Sequence, residues 1–477
     1  MKFLLSIFLF FNFIQVFPQT NLSSVKAGID SVLSGKDFES TLMGINVYDL
    51  TAKKELYSKN DKLLFRPASN LKILTTSAGL KYLEPSYNFK TTVLYSGKIR
   101  NEILHGDIYV VGGCDPIFSV KDLDSIALAI KSLGIKKING NLYGDISMMD
   151  SLFWGDGWMW NDDPSTDQPY LCALEINENS IGVIVKPGKI GEKAKISLAP
   201  QTDFFKIENF TETVPADSPS TIDLDRNWIN RKNTLIIKGN VPDKFIPESS
   251  QDTLSVNVYD PQLYFMYLLK ETLNKFGIKT EGKIRFEKAD ISRLEKICNV
   301  EHSLESVVHY TDKVSYNLGA EMVLRAIAVK YFGKPATARN GIKFVDSLIT
   351  SAGMDPNNYR IVDGSGVSHY NLITASLLVH VLKYLYNDRP DLYKIIYNAF
   401  PVAGVDGTLK HRFLNTPGQN NVHAKTGSLS GVSSLSGYLT AENGHQIAFS
   451  MLVQSYGRSP KIYRDAQDKI CNILVKY

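Results

Sequence analysis

The sequence predicts an α/β (α+β) fold, in which an antiparallel sheet flanked by helices is interrupted by a long β-rich insertion forming one or two extra domains. Three observations carry this. The chain begins, after an apolar leader, with a helix, two strands and a second helix. It ends with strands and a helix, so front and back are read as two halves of one domain. Between them, from about residue 93 to 258, short strands alternate with Gly- and Asn-rich turns. At 477 residues the chain exceeds one ordinary core. The expected boundaries are a leader at 1–19, the first part of the outer domain at 20–92, the insertion at 93–258 with a nested subdomain at about 145–220, and the second part at 259–477.

Taken in order, Lys2 precedes an apolar run from Phe3 to Phe17 broken only by Ser6, Asn12 and Gln15. This resembles a cleaved secretory signal ending near Gln19 or Thr20. An uncleaved anchor is the alternative, although the run is shorter than the roughly 20 residues a spanning helix needs. The expected location is therefore exported, periplasmic or extracytoplasmic, with peripheral membrane contact left open. Ser24 to Leu33 reads as an amphipathic helix, and Leu42–Tyr48 and Lys54–Tyr57 read as strands. Pro67 suits a first helical turn, and Leu71, Leu74, Ala78 and Tyr82 follow it at helical spacing.

In the middle, Lys90–Tyr95, Gly106–Val111, Leu142–Ile146, Val183–Lys186, Leu235–Gly239 and Leu254–Tyr259 read as strands. Thr211 to Asn230 is polar and reads as an exposed loop. Trp154, Trp158 and Trp160 lie in one aromatic and acidic cluster, which fits either a small satellite core or the wall of a ligand site. Helical periodicity returns at Pro261 and dominates to about Ile395. Asn421–Lys425, Ser434–Thr440 and Gln446–Gln454 read as strands, the last two joined at Asn443-Gly444, and Ile462–Val475 reads as a closing helix.

Composition excludes several classes. Hydrophobic residues at 44% and charged residues at 21% fit a globular protein, and a net charge of +4 without a basic stripe gives no reason to expect nucleic acid. Cys114, Cys172, Cys298 and Cys471 form no C-x-x-C; three disulfide pairings or four free thiols fit equally. The eight histidines form no H-E-x-x-H. No metal and no cofactor is expected.

The chemistry centres on Ser69 and Lys72, which share a helix face three residues apart. A serine hydroxyl near neutral pH needs a base, and a helix N-terminus favours an oxyanion. The spacing is loose, since Ser23 and Lys26 repeat it. Partners strengthen it. Ser315-Tyr316-Asn317 precedes an amphipathic helix (Leu318, Met322, Ile327), whereas Ser86-Tyr87-Asn88 and Ser255-Val256-Asn257 share its pattern without that setting. Lys425-Thr426-Gly427 ends a strand.

S-x-x-K, S-x-N and K-T-G in this order are the signature of penicillin-recognising serine acyltransferases, and the sequence resembles that superfamily. The long gap from 69 to 315, against the shorter one from 315 to 425, resembles the class C low-molecular-mass penicillin-binding proteins, the D-alanyl-D-alanine carboxypeptidase and endopeptidase family. Gly106-Asp107-Ile108-Tyr109 through Gly113-Cys114-Asp115-Pro116, Asp363-Gly364-Ser365-Gly366 and Val402 through Leu409 agree.

The resemblance implies that Ser69 attacks the bond between two D-alanines, that Lys72 accepts its proton, and that Ser315 relays a proton towards the leaving amine. It implies that Asn317 holds the substrate amide, that Lys425 and Thr426 bind the terminal carboxylate, and that Gly427 lets substrate lie along the strand. The backbone N–H groups of Ser69 and Ser428 would form the oxyanion hole. Asp162 is expected to grip the ammonium end of a diaminopimelate stem, with Asp163 as fallback and Tyr170 as companion. Two departures stand out: His369 where the family often has arginine, and Cys114 where glycine is commoner. The implied partners are peptidoglycan peptides ending in D-Ala-D-Ala or a D-Ala crosslink, with β-lactams as inhibitors. The alternatives are a non-catalytic penicillin sensor or wall-binding protein and, less favoured, a β-lactamase. A Ser-His-Asp hydrolase lacks its G-x-S-x-G elbow. Oligomeric state is left open.

Overall fold

A computed structural model describes residues 22–244 and 254–477. The expected leader at 1–19 lies outside the described residues. Among those described, no helix is long and apolar enough to cross a membrane.

The outer domain is built on a five-stranded antiparallel sheet in the order His423–Leu429, Val432–Thr440, Gln446–Gln454, Leu42–Asp49, Lys54–Lys59. Its N-terminal strands are thus completed by the end of the chain, with Leu42 opposite Gln454 and Asp49 opposite Ile447. The central strands are buried on both faces because both are covered, and the positions they bury include Ser433, Ser434, Ser436 and Ser450. Helices Leu22–Leu33 and Pro460–Val475 pack on one side around Val25, Ile29, Ile470 and Leu474. On the other side lie Ala375–Asp388 and, behind it, the paired helices Lys72–Leu83 and Asn317–Phe332. Those two are buried nearly all round, so their periodicity is weak, as expected for helices inside a core. The hairpin at Asn443-Gly444 forms as expected, with Gly444 in the left-handed region at φ +83.

The insertion is larger than the sequence texture suggests. Asn88–Tyr95 pairs antiparallel with Glu295–Ser303, and these strands belong to one five-stranded sheet with Ile108–Val111, Leu142–Asp145 and Ile284–Phe286. Helices Val120–Ser132 and Pro261–Lys275 pack with it in a second core that includes Leu123, Ile126, Phe265 and Leu269. The limits expected at 93 and 258 therefore move to about 88 and 303. Periodicity identifies the 261–275 helix correctly, yet it carries no information about which core the helix joins. Ser303 stands opposite Asn88, and the Leu304 amide donates to the Tyr87 carbonyl at 2.8 Å, so the chain leaves and rejoins the outer domain at one point.

Two three-stranded sheets spanning residues 180 to 257 form the nested part, in place of the expected 145–220. The polar run from Thr211 to Asn230 is not one loop. It contains the end of strand Lys206–Val214 and all of Asp223–Arg226, both flanking Thr234–Pro242. What these strands bury is polar, namely Thr211, Thr213 and Arg226, which disguises them.

Candidate active site

Ser69 sits in a tight turn, Ala68–Leu71, that runs directly into the Lys72–Leu83 helix. Being in the first turn, its N–H has no carbonyl one turn earlier to bond. Ala68 takes a left-handed φ of +49, and Asn70 is locked beneath it. Its side-chain amide bonds Ser436 and the Lys425 carbonyl, the latter at 2.9 Å, tying the nucleophile turn to the strand that carries Lys425.

Lys72 is fully buried. Its Nζ lies 2.9 Å from Ser69 Oγ, 2.5 Å from Asn317 Oδ1 and 2.8 Å from the Ser365 carbonyl oxygen. Two of those three partners can only accept, so two N–H bonds are committed to them and the remaining direction points at the serine. Burial lowers the Lys72 pKa to about 8, against the opposing pull of Asp363, Asp312, Glu321 and Asp167.

The second lysine completes the cluster. Lys425 is equally buried; its Nζ donates to Ser315 Oγ at 2.8 Å and to the Thr426 carbonyl at 2.9 Å. Burial first, then the charge of Lys72, pushes it well below an ordinary lysine, while Asp312 works the other way. Ser315 stands between helices Leu304–Lys313 and Asn317–Phe332 with a left-handed φ of +66, a conformation a non-glycine residue holds only where its surroundings fix it. Tyr316 supplies part of that fixing, since its hydroxyl donates to the Pro116 carbonyl of the insertion at 2.7 Å.

Ser69, Ser315, Asn317, Thr426, Gly427 and Ser428 all line one cavity of about 300 Å³. A Cβ on Gly427 would lie 2.2 Å from Ser434 Oγ and 3.0 Å from the Ser69 amide nitrogen. Glycine is therefore required for the strand to press against the nucleophile turn, in addition to any room it gives a ligand. Asn317 differs from expectation in one respect, because its Nδ2 donates to the Asp167 carbonyl at 2.6 Å. A loop of the insertion thus reaches into the cleft.

Asp162 does not line this cavity. Its carboxylate caps its own short turn, accepting from the Met159 amide at 2.9 Å. The fallback Asp163 is buried in an ion pair with Arg226 and accepts from the Tyr170 hydroxyl at 2.8 Å, so both of its oxygens are engaged, and neither residue lines the cavity. The carboxylate that does line the cavity is Asp167, on an exposed loop with no sequence signal. The tryptophans divide between both readings. Trp158 is buried and donates to Asp363 at 3.0 Å, whereas Trp160 is exposed and packs on Trp228.

Residues outside the three motifs hold the site in shape. Asp363 accepts from the amides of Gly366 and Ser368 and from Asn371. Glu321 accepts from the amides of Gly364 and Ser365 and from Arg325. Together they aim the Ser365 carbonyl at Lys72. The Asp363-Gly364-Ser365-Gly366 phrase carried a signal for the first; nothing marked the second. Thr408, Arg412 and Arg464 also line the cavity, and Thr426 Oγ1 bonds Thr408 Oγ1 at 2.7 Å. His369 Nδ1 lies 3.0 Å from an Arg66 guanidinium nitrogen. Cys114 has φ +53, the conformation for which glycine is the usual choice. The four cysteines are free thiols, and among the described residues no group of side chains could hold a metal.

Comparison with known proteins identifies the family. Residues 25–477 match the model of the D-Ala-D-Ala carboxypeptidase 3 (S13) family. The chain is 30% identical to the D-alanyl-D-alanine carboxypeptidase DacB of Haemophilus influenzae, over 91% of this chain and 94% of that one. It is 29% identical to the D-alanyl-D-alanine carboxypeptidase of an Actinomadura species, over 93% and 84% respectively. The crystal structure of penicillin binding protein 4 (dacB) from Haemophilus influenzae superposes with a TM-score of 0.81 at 27% identity, covering 94% of this chain and 99% of that one. That protein complexed with a β-lactam superposes at 0.76 and 25% identity.

Proposed function

The chain belongs to the D-Ala-D-Ala carboxypeptidase 3 (S13) family, and from that premise we propose how its residues divide the work of a serine-type D-Ala-D-Ala carboxypeptidase and DD-endopeptidase on peptidoglycan stem peptides. The observation that carries the reading is the setting of Lys72. Its two acceptor-only partners occupy two N–H bonds, so as a neutral amine it presents its lone pair to the Ser69 hydroxyl.

Ser69 Oγ attacks the carbonyl of the penultimate D-alanine while its proton passes to Lys72. The developing oxyanion is met by the backbone N–H groups of Ser69 and Ser428. Ser315, whose oxygen accepts from Lys425, relays a proton to the departing amine and takes one back from the lysine pair, which holds the proton given up by Ser69, and water then releases the acyl group from Ser69. Lys425 and Thr426 receive the terminal carboxylate, and Thr408 orients the threonine hydroxyl. A penicillin follows the same first step and stays attached longer. Glu321 and Asp363 are both saturated by backbone amides and other donors, which leaves neither as the deacylating base that a β-lactamase uses. Asp167, which lines the cavity, is the acidic residue we assign to meet an ammonium on the stem, and the leader-like apolar run supports export to the periplasm or another extracytoplasmic space.

The test is labelling with a fluorescent penicillin, alongside D-alanine release from a pentapeptide and cleavage of a crosslinked dipeptide stem. The unaltered protein is expected to label and to release D-alanine, and Ser69→Ala to do neither. Labelling without any turnover would convert the enzyme into a sensor.

A further inference from the structure

Three charged residues line the cavity that holds Ser69, namely Asp167, Arg412 and Arg464, and they do not share one end of it. Asp167 comes from the insertion, and its carbonyl accepts from Asn317, the residue assigned to the amide of the acyl part. The arginines belong with Thr426. Thr408, whose Oγ1 lies 2.7 Å from Thr426 Oγ1, sits in the short turn Gly407–Leu409 that leads into Arg412. Arg412 in turn donates to the Arg464 carbonyl at 3.2 Å, which ties helix Pro460–Val475 to the same side. Thr426 receives the carboxylate beside the scissile bond, so the arginines stand where the leaving group departs.

The two differ in how far they are committed. Arg412 is fixed, its Nε donating to Asp468 at 3.1 Å and its Nη2 to Gln467 at 3.2 Å, while Nη1 has no partner among the described residues. Arg464 is exposed, and among the described residues no hydrogen bond or ion pair engages its guanidinium. The acids nearest it on its own helix are taken, Asp465 by Lys461 at 2.6 Å and Asp468 by Arg412. One positive charge is thus left over at the leaving-group end. Departing D-alanine has a single carboxylate, and Lys425 and Thr426 already meet it. Cleavage of a crosslink instead releases a second stem peptide, which brings further carboxylates, its own C-terminus among them.

We propose that Arg464, with Nη1 of Arg412, forms an anion subsite for the leaving stem of a crosslinked substrate. A guanidinium offers the paired donors that a carboxylate accepts. The endopeptidase reaction then uses a contact that the carboxypeptidase reaction does not, and Arg464 is a specificity residue for crosslinks.

This rests on the acyl-enzyme reading, and the two fail differently. The kcat and KM of the full chain and of Arg464→Gln are measured on a pentapeptide, on a crosslinked stem dimer, and on that dimer with the carboxylates of its leaving stem amidated, except the one beside the scissile bond. Arg464→Gln is expected to lower kcat/KM for the dimer by about fivefold or more, chiefly through KM, and to leave the pentapeptide within about twofold. Amidation should cost the unaltered enzyme a similar factor and the variant nothing more, so the contact is also read without any substitution. Equal losses on pentapeptide and dimer would make Arg464 a receptor for the terminal carboxylate, and no loss on either would make it a solvated surface charge; both overturn the proposal. Failure of the acyl-enzyme reading would show earlier, as an unaltered enzyme that neither labels at Ser69 with penicillin nor cleaves any of the three substrates.

Discussion

Lys72 shows how little a side chain's identity says until its surroundings are known. In water it would be an ammonium near neutral pH; buried, it ionises at about 8 and is a base for part of the molecules at any neutral pH. Acylation should therefore rise with pH towards that value in a stopped-flow or labelling assay. Lys72→Met, which keeps the length and removes the amine, should lower the acylation rate by about 10² to 10⁴-fold while leaving the melting temperature near or above the parent's. The three motifs were legible in the sequence because each concentrates unusual chemistry in three or four residues. Asp312 and Glu321 were not, since an acidic residue becomes informative only when it is seen to be buried, whereas Asp363 was marked by the phrase it opens. Asp162 was legible in the distinctive phrase around it; in the fold one of its oxygens accepts from the Met159 amide and the residue lies outside the cavity that Ser69 lines.

At the scale of elements, the turn Ala68–Leu71 is held against the strand His423–Leu429 by Asn70 and by the absence of a side chain at 427, and against the next strand, Val432–Thr440, by Ser434 donating to the Pro67 carbonyl at 2.7 Å. Gly427→Ala would force the strand away from the Ser69 amide. We expect a stability loss of about 1–3 kcal/mol by thermal unfolding, typical of overpacking, together with a loss of penicillin acylation larger than that destabilisation accounts for. Strands and helices with apolar alternation or helical spacing were legible, from the Leu42–Asp49 strand to the closing helix. The strands at 206–214 and 223–226 were not, because threonine and a paired arginine fill the positions that apolar side chains usually mark.

For the molecule as a whole, the question is what joins the insertion to the outer domain beyond the paired strands at 88 and 303. One core cluster crosses the seam, bringing Cys114, Met148, Trp158 and Leu171 of the insertion against Leu74, Met322 and Leu377. Within the same seam lies Glu175, fully buried, with no hydrogen-bond partner for either oxygen among the described residues. Burial first, then the neighbouring Asp115, holds it well above the ordinary carboxyl range, against the opposing pull of the Cys172 backbone and the Arg325 charge, neither of which reaches it with a hydrogen bond. In the unfolded chain it ionises near its ordinary value; in the fold it does so only at higher pH. Between those two values the unfolded state has released a proton that the folded state retains, so stability falls as pH rises, by about 1.4 kcal/mol per unit. Below the lower value the cost disappears. Glu175→Gln keeps the shape and removes the titration. Its melting temperature should match the parent's in mild acid and exceed it progressively towards alkaline pH, as followed by calorimetry across that range. Two melting curves that stay parallel would mean that the carboxyl is ionised in the fold and paired after all. In that case the seam would depend on an ion pair with Arg325 rather than on apolar packing around a neutral acid.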